Sequence, residues 1–151
     1  MITVLAIGKK HEDWVNIGIE RYEKRLKKPF DVKWLLLPHS SIDGMLARQA
    51  ESNAILSRIN DRDQVILLDE TGDGLSSPSL STLLSKQFVD ARNVVIVIGG
   101  AYGVDERVKA RADITWSLSK LVFPHQLVRL ILIEQLYRAQ EIAHGSSYHH
   151  V

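Results

Sequence analysis

Val94-Val95-Ile96-Val97-Ile98-Gly99-Gly100-Ala101-Tyr102-Gly103 is the stretch around which the chain is organised. Its first five residues are all β-branched, stiff at χ1 and suited to a pleated surface. No polar residue interrupts them, which predicts a central parallel strand buried on both faces. Gly99 and Gly100 follow directly. They allow a sharp turn and let a ligand approach where a Cβ would block it. Val104 to Val108 then reads as a short helix, with Asp105 and Glu106 suited to its first turn. Strand, glycine turn and helix are how open α/β sheets build a ligand crevice at strand carboxyl ends. The spacing Gly99-Gly100-x-x-Gly103 is not that of a dinucleotide fingerprint, and it lies late in the chain.

Outward from this strand, a length of 151 residues predicts one domain able to bury a core unaided. The absence of cysteine excludes disulfides, thiolate nucleophiles and cysteine-based metal sites. No apolar run reaches the roughly 18 residues of a membrane span, and the N-terminus lacks the marks of a signal peptide. A soluble, cytoplasmic protein is the expectation. The net charge of +1 does not announce nucleic-acid binding, but it permits local basic patches.

Strand and helix patterns alternate along the whole chain, which means α/β with a mostly parallel sheet. Ile2 to Gly8 reads as a buried strand, and Lys9 and Lys10 as the loop after it. Asp13 is placed to cap a helix whose apolar stripe is Trp14, Gly18, Tyr22 and Leu26, with Val15 and Ile19 beside it. Pro29 is expected to end that helix. Arg21, Lys24, Arg25, Lys27 and Lys28 form either a solvated face or a patch that contacts phosphates. Further strands are predicted at Val32 to Leu37, Gln64 to Leu68 and Ala112 to Trp116, and further helices at Asp43 to Ile59 and Ser79 to Val89. Asp69 to Pro78 reads as a long polar loop without the Gly-Lys-Ser/Thr of a nucleotide triphosphate cradle. Gln126 to His144 is the longest helix, with Gly145 as its cap. Its first half is apolar around most of its circumference. One of those faces has no use within a single sheet, which predicts a homodimer.

The chemistry is expected where three strand ends meet: after Leu68, at Gly99-Gly100, and along Ser117-Leu118-Ser119-Lys120-Leu121-Val122-Phe123-Pro124. The last of these is apolar for a loop, so a ligand or partner should cover it. No serine-hydrolase elbow and no H-E-x-x-H occurs. His144, His149 and His150 lack a carboxylate at ligand spacing, so no metal is expected. Apolar walls beside a glycine turn, with no arginine or lysine adjacent to Gly99-Gly100, suit a cofactor that has an adenine and few charges. S-adenosylmethionine fits that description.

The pattern also resembles a known family over nearly its whole length. The resemblance is carried by Ile7-Gly8-Lys9, Asp13-Trp14, Leu68-Asp69, Ile98-Gly99-Gly100-x-x-Gly103 and Trp116-Ser117-Leu118-Ser119. It continues in Phe123-Pro124-His125-x-Leu127-Val128-Arg129, Glu134-Gln135-Leu136-Tyr137-Arg138-Ala139 and Tyr148-His149. These motifs resemble the RlmH family, bacterial ribosomal RNA methyltransferases of the SPOUT class. The resemblance implies an α/β sheet whose C-terminal segment threads a trefoil knot, and a homodimer with the knot at its interface. It implies methylation of N3 of a pseudouridine in 23S rRNA of the assembled 70S ribosome, with S-adenosylmethionine as donor and no metal or membrane partner. Carried over by position, the cofactor contacts are Leu68, Gly100, Ser119, Lys120, Leu121, Val122, Phe123 and Pro124. The tail is expected to form the catalytic pocket with Arg129. Tyr148 would orient the base, His149 would accept the imide proton while neutral, and Arg129 would stabilise the anionic base. His150 stands where members of the family often carry arginine or lysine, so a permanent tail cation is missing. The competing expectations are a SPOUT enzyme acting on another nucleoside, such as one in tRNA, and a non-catalytic RNA- or ribosome-binding module.

Overall fold

A computed structural model describes residues 1–150. The chain alternates strictly: β1 (Ile2–Ile7), α1 (Asp13–Glu23), β2 (Val32–Leu37), α2 (Gly44–Leu56), β3 (Gln64–Gly74), α3 (Ser77–Val89), β4 (Val94–Ile98), α4 (Glu106–Arg111), β5 (Ile114–Ser117) and α5 (His125–Ala143). All five strands are parallel, in the order β2-β1-β4-β3-β5. No helix among the described residues is long and apolar enough to cross a membrane.

The period of two in the strands sends alternate residues to opposite faces. Val4, Ala6, Ile66, Ile96 and Ile98 pack with Leu80 and Leu84 of α3 and with Leu132 and Leu136 of α5. Leu5, Ile7, Val65, Leu67, Val95 and Val97 pack on the other face with Ile55 of α2 and Val108 of α4. Each Val, Leu or Ile among them contributes about 1.5–3 kcal/mol by leaving water. The β-branched run of β4 is buried from end to end, as its sequence predicts.

Several local expectations change. Trp14 is 53% exposed, and α1 docks through Val15 and Ile19 against Ile133 of α5. Gly18 is needed there, because a Cβ would lie 2.6 Å from Leu130 Cδ1. Asp13 is the first residue of α1 rather than its cap. Glu12 holds the cap position, without a side-chain cap bond. The helix stops at Glu23, ahead of Pro29. Bonds from Lys24 N to Glu20 O and from Arg25 N to Tyr22 O close it without any help from proline.

The polar loop after Leu68 is instead a continuation of β3 to Gly74. Leu68 and Asp73 both stand opposite Trp116, so the residues between them swing out of register. Gly72 allows the return, since a Cβ there would lie 2.5 Å from the Thr115 carbonyl oxygen. The short helix starts later than expected, at Glu106. Asp105 serves as its cap, with Oδ1 accepting from Arg107 N at 3.0 Å and Val108 N at 3.3 Å.

Candidate active site

The carboxyl ends of β4 and β5 and the middle of β3, at Leu68 to Thr71, open into one cleft of about 490 Å³. Leu68, Gly99, Gly100, Leu118, Ser119, Leu121, Val122, Phe123 and Val128 line it. Of the expected cofactor contacts, Leu68, Gly100, Ser119, Leu121, Val122 and Phe123 therefore share one wall system, whereas Lys120 and Pro124 lie outside the lining. Ser117 Oγ donates to Ser119 O at 2.8 Å, and Ser119 Oγ accepts from Leu121 N at 3.0 Å. These bonds hold the apolar loop in a tight turn with Val122 78% exposed toward the opening. The volume falls within the roughly 300–1,000 Å³ of small-molecule sites.

No cation adjoins Gly99-Gly100 in the chain, yet folding brings Arg48 from α2 and Lys109 from α4 to the cleft. Asp69 and Glu70 stand there too. The site is thus more charged than its sequence neighbours indicate, because flanking helices reach it from the side.

Gly100 has a second reason to be glycine. A Cβ would lie 2.9 Å from both Glu51 carboxylate oxygens and 3.2 Å from Ile7 Cγ2, so it would press into the sheet rather than into the cleft. Glu51 is only 5% exposed, and its Oε2 has no hydrogen-bond partner among the described residues. Sequence reading passed over this residue. The available signal was an acid within the stripe Ala47, Glu51, Ile55, which shares one helix face and is otherwise apolar.

Arg129, in the first turns of α5, is 1% exposed. Its Nη1 donates to Lys10 O at 2.9 Å, and its Nη2 donates to Ile7 O at 2.8 Å and Gly8 O at 3.4 Å. The guanidinium thereby ties α5 to the end of β1. Burial and then the Arg129 charge lower the pKa of His11. His125, which lines the cleft, is lowered by desolvation, then by Arg129 and His39.

The tail docks elsewhere on the same helix. Tyr148 Oη donates to Glu134 Oε1 at 3.3 Å, and its ring meets Tyr137 edge-on at 4.9 Å between centroids. Arg138 lies over the Tyr148 ring and bonds Glu134 at 2.7 Å. Arg138 Nη1 is 3.3 Å from His149 Nδ1. Arginine can only donate, so this contact is a hydrogen bond when Nδ1 is the acceptor and the ring hydrogen sits on Nε2. Burial first, then the Glu134 charge, raise the Tyr148 pKa, which keeps the phenol protonated. Arg129 and Arg138 are separated by roughly 13 Å of helix rise. The structure therefore brings Tyr148 and His149 together, but with Glu134 and Arg138 rather than with Arg129.

The basic residues Arg21, Lys24, Arg25, Lys27 and Lys28 are exposed. They lie toward the end of α5 that is remote from the cleft, where Gln140 accepts from Lys27 N and donates to Arg25 O. Among the described residues, no group of three or more His, Cys, Asp or Glu is placed to hold a metal ion.

A family model described as "Predicted SPOUT methyltransferase" matches residues 1–149. Proteins named ribosomal RNA large subunit methyltransferase H are similar over almost their whole lengths. The Saccharophagus degradans protein is 40% identical, with 98% of each chain covered. That of Geobacter metallireducens is 39% identical over 99% of this chain and 98% of its own, and that of Chromohalobacter salexigens is 38% identical over 98% of each.

Proposed function

The chain belongs to the SPOUT methyltransferase family, and from that membership we propose that it methylates N3 of a pseudouridine in 23S rRNA of the assembled 70S ribosome. S-adenosylmethionine is the donor in this reading, and the active unit is a homodimer with its C-terminal segment knotted. A cytoplasmic location follows from such a substrate. The observation that carries the reading is the apolar-walled cleft beside the Gly99-Gly100 turn, in a chain with near full-length methyltransferase relatives.

The residues present suit that cofactor. Leu68, Leu121, Val122 and Phe123 offer apolar walls for an adenine, and Gly100 lets the turn after β4 pack against Ile7 and Glu51 at the edge of the cleft. Asp69 and Glu70 put negative charge beside a cleft meant for a cationic ligand. Ser119, Lys120 and Pro124 shape the loop that carries those walls. When bound, the cofactor supplies a methyl group already made electrophilic by its sulfonium. The protein then has to orient the base in line and favour loss of the imide proton.

Arg129 serves the second task by its field, since its charge is buried and developing negative charge is stabilised most strongly in a dry site. Tyr148 orients the base. His149, in the tautomer that Arg138 selects, presents Nε2–H as a donor toward a base carbonyl oxygen. Accepting the imide proton requires it to leave Arg138.

The dimer reconciles the distance between cleft and tail. Leu127, Ile131, Glu134 and Arg138 recur on one half-exposed face of α5. A two-fold axis pairing these faces antiparallel sets the Arg138 end of one helix beside the Leu127 end of the other. Each cleft then receives the tail of the partner subunit, and the basic region near Lys24 to Lys28 approaches the same cleft.

Calorimetry with S-adenosylmethionine, followed by methyl transfer to ribosomes that lack the modification, tests the reading. Ligand at about 100 times its Kd should stabilise the protein by roughly 2.7 kcal/mol. Val122→Glu should weaken cofactor binding tenfold or more while leaving the fold intact, because Val122 is an exposed side chain. Absence of binding would return the chain to a non-catalytic RNA-binding role. A methylated nucleoside found in tRNA would change the substrate.

A further inference from the structure

Beside the cleft, across the β4–β1 pair, lies a cationic annex whose exposed members have no part in the methyl transfer itself. Gly8 has a φ of +121°, a conformation that glycine adopts without strain. A Cβ there would lie 2.7 Å from Arg129 Nη2 and 3.3 Å from His39 Nε2, so both groups border the same point over the end of β1. Lys9 and Lys10 follow at once, exposed and without an ion pair among the described residues. His11 and His125 complete the surroundings, within reach of the Arg129 charge.

Arg129 is the telling member. Its donors go to carbonyl oxygens and to His11 Nδ1, its Nε has no partner, and no carboxylate lies within ion-pair distance among the described residues. Burial lowers its pKa, and the charge of Glu12 partly offsets this. The Glu12 carboxylate is itself engaged by Trp14 Nε1 at 2.6 Å. A buried cation balanced by dipoles alone is costly unless an anion compensates it. Two exposed lysines at the same strand end add to the positive field and point to an anion that arrives from solvent.

We propose that this annex, built from Lys9, Lys10 and His39 over the buried Arg129, seats a backbone phosphate of the RNA strand next to the target nucleoside. The inference rests on the methyltransferase reading for the identity of the strand. The anionic oxygens recognised could also belong to a carboxylate of the cofactor. The lysines favour the phosphate, because they are exposed in the loop after β1, outside the walls of the cleft. A phosphate held there fixes the register of the strand, so that the adjacent base meets the cleft.

The test uses the full chain and 70S ribosomes, with ribosome affinity read by co-sedimentation over a salt series and cofactor affinity by calorimetry. Lys9→Ala/Lys10→Ala should weaken ribosome binding about tenfold at moderate salt. Its log–log salt slope should flatten by roughly 0.7–0.9, the share of the one phosphate no longer neutralised. Lys9→Arg/Lys10→Arg should keep the wild-type slope, and the Kd for S-adenosylmethionine should not change in either variant. Wild-type affinity and slope in the alanine variant would overturn the proposal. So would a tenfold rise in the cofactor Kd with the ribosome slope unchanged, which would assign the annex to the cofactor carboxylate. Because ribosome binding is read separately from methyl transfer, an inactive wild type with a flattened slope in the variant would reject the enzyme reading alone.

Discussion

Arg129 and His11 constrain each other. A guanidinium has no acceptor, so the 3.3 Å contact between Arg129 Nη1 and His11 Nδ1 requires an unprotonated Nδ1. The His11 ring also meets Trp34 edge-on at 4.7 Å between centroids. Burial, then the Arg129 charge, depress the His11 pKa below its value of 6.5 in an open chain. The unfolded chain therefore binds the extra proton more readily. Stability from this group is complete above pH 6.5 and is lost as pH falls toward the folded pKa. His125 contributes with the same sign. Urea midpoints should fall between about pH 7.5 and pH 5.5, and His11→Gln should flatten that decline. Equal declines in both proteins would show that His11 is not responsible. Glu51 belongs to the same scale: its acid is visible in the apolar stripe of α2, but its abutment on Gly100 is not.

At the scale of the element, α5 has two apolar sides with different fates. Ile133 is fully buried against Val15 and Ile19 of α1. Ile131 is half-buried, on the strip shared with Leu127 and Glu134. The sequence shows that the helix is too apolar for one sheet, but only the position of α1 says which isoleucine is spare. Ile131→Asp should yield folded monomers in light scattering, with methyl transfer reduced at least tenfold. Ile133→Asp should fail to fold, since an unpaired buried carboxylate costs several kcal/mol. A folded, dimeric, fully active Ile131→Asp protein would remove α5 from the interface.

At the scale of the molecule, cleft and tail occupy different stretches of α5, and a dimer is what would join them. Removal of residues 148–151 should leave S-adenosylmethionine affinity nearly unchanged and lower methyl transfer by about 10²-fold or more, the low end of a lost acid–base group. Mixing this truncated chain with Val122→Glu chains should restore activity. In the mixed dimer, an intact cleft faces an intact tail from the other chain. If mixtures stay as inactive as their components, each chain uses its own tail.

Local chemistry carried much of this protein. The β-branched run Val94–Ile98, its glycine turn and the alternation of strand and helix patterns determine an α/β fold with a mostly parallel sheet and a cleft at its carboxyl edge. Those signals act within a few residues, through χ1 stiffness and backbone freedom, so they survive in the sequence. Tertiary structure decided what depends on register between distant segments. It carried β3 on to Gly74, because Leu68 and Asp73 both stand opposite Trp116. It brought Arg48 and Lys109 to a cleft that no cation adjoins in the chain, and it set Tyr148 and His149 beside Glu134 and Arg138 instead of Arg129. None of these placements has a local propensity behind it. Each follows from which surfaces remain when the helices have covered both faces of the sheet.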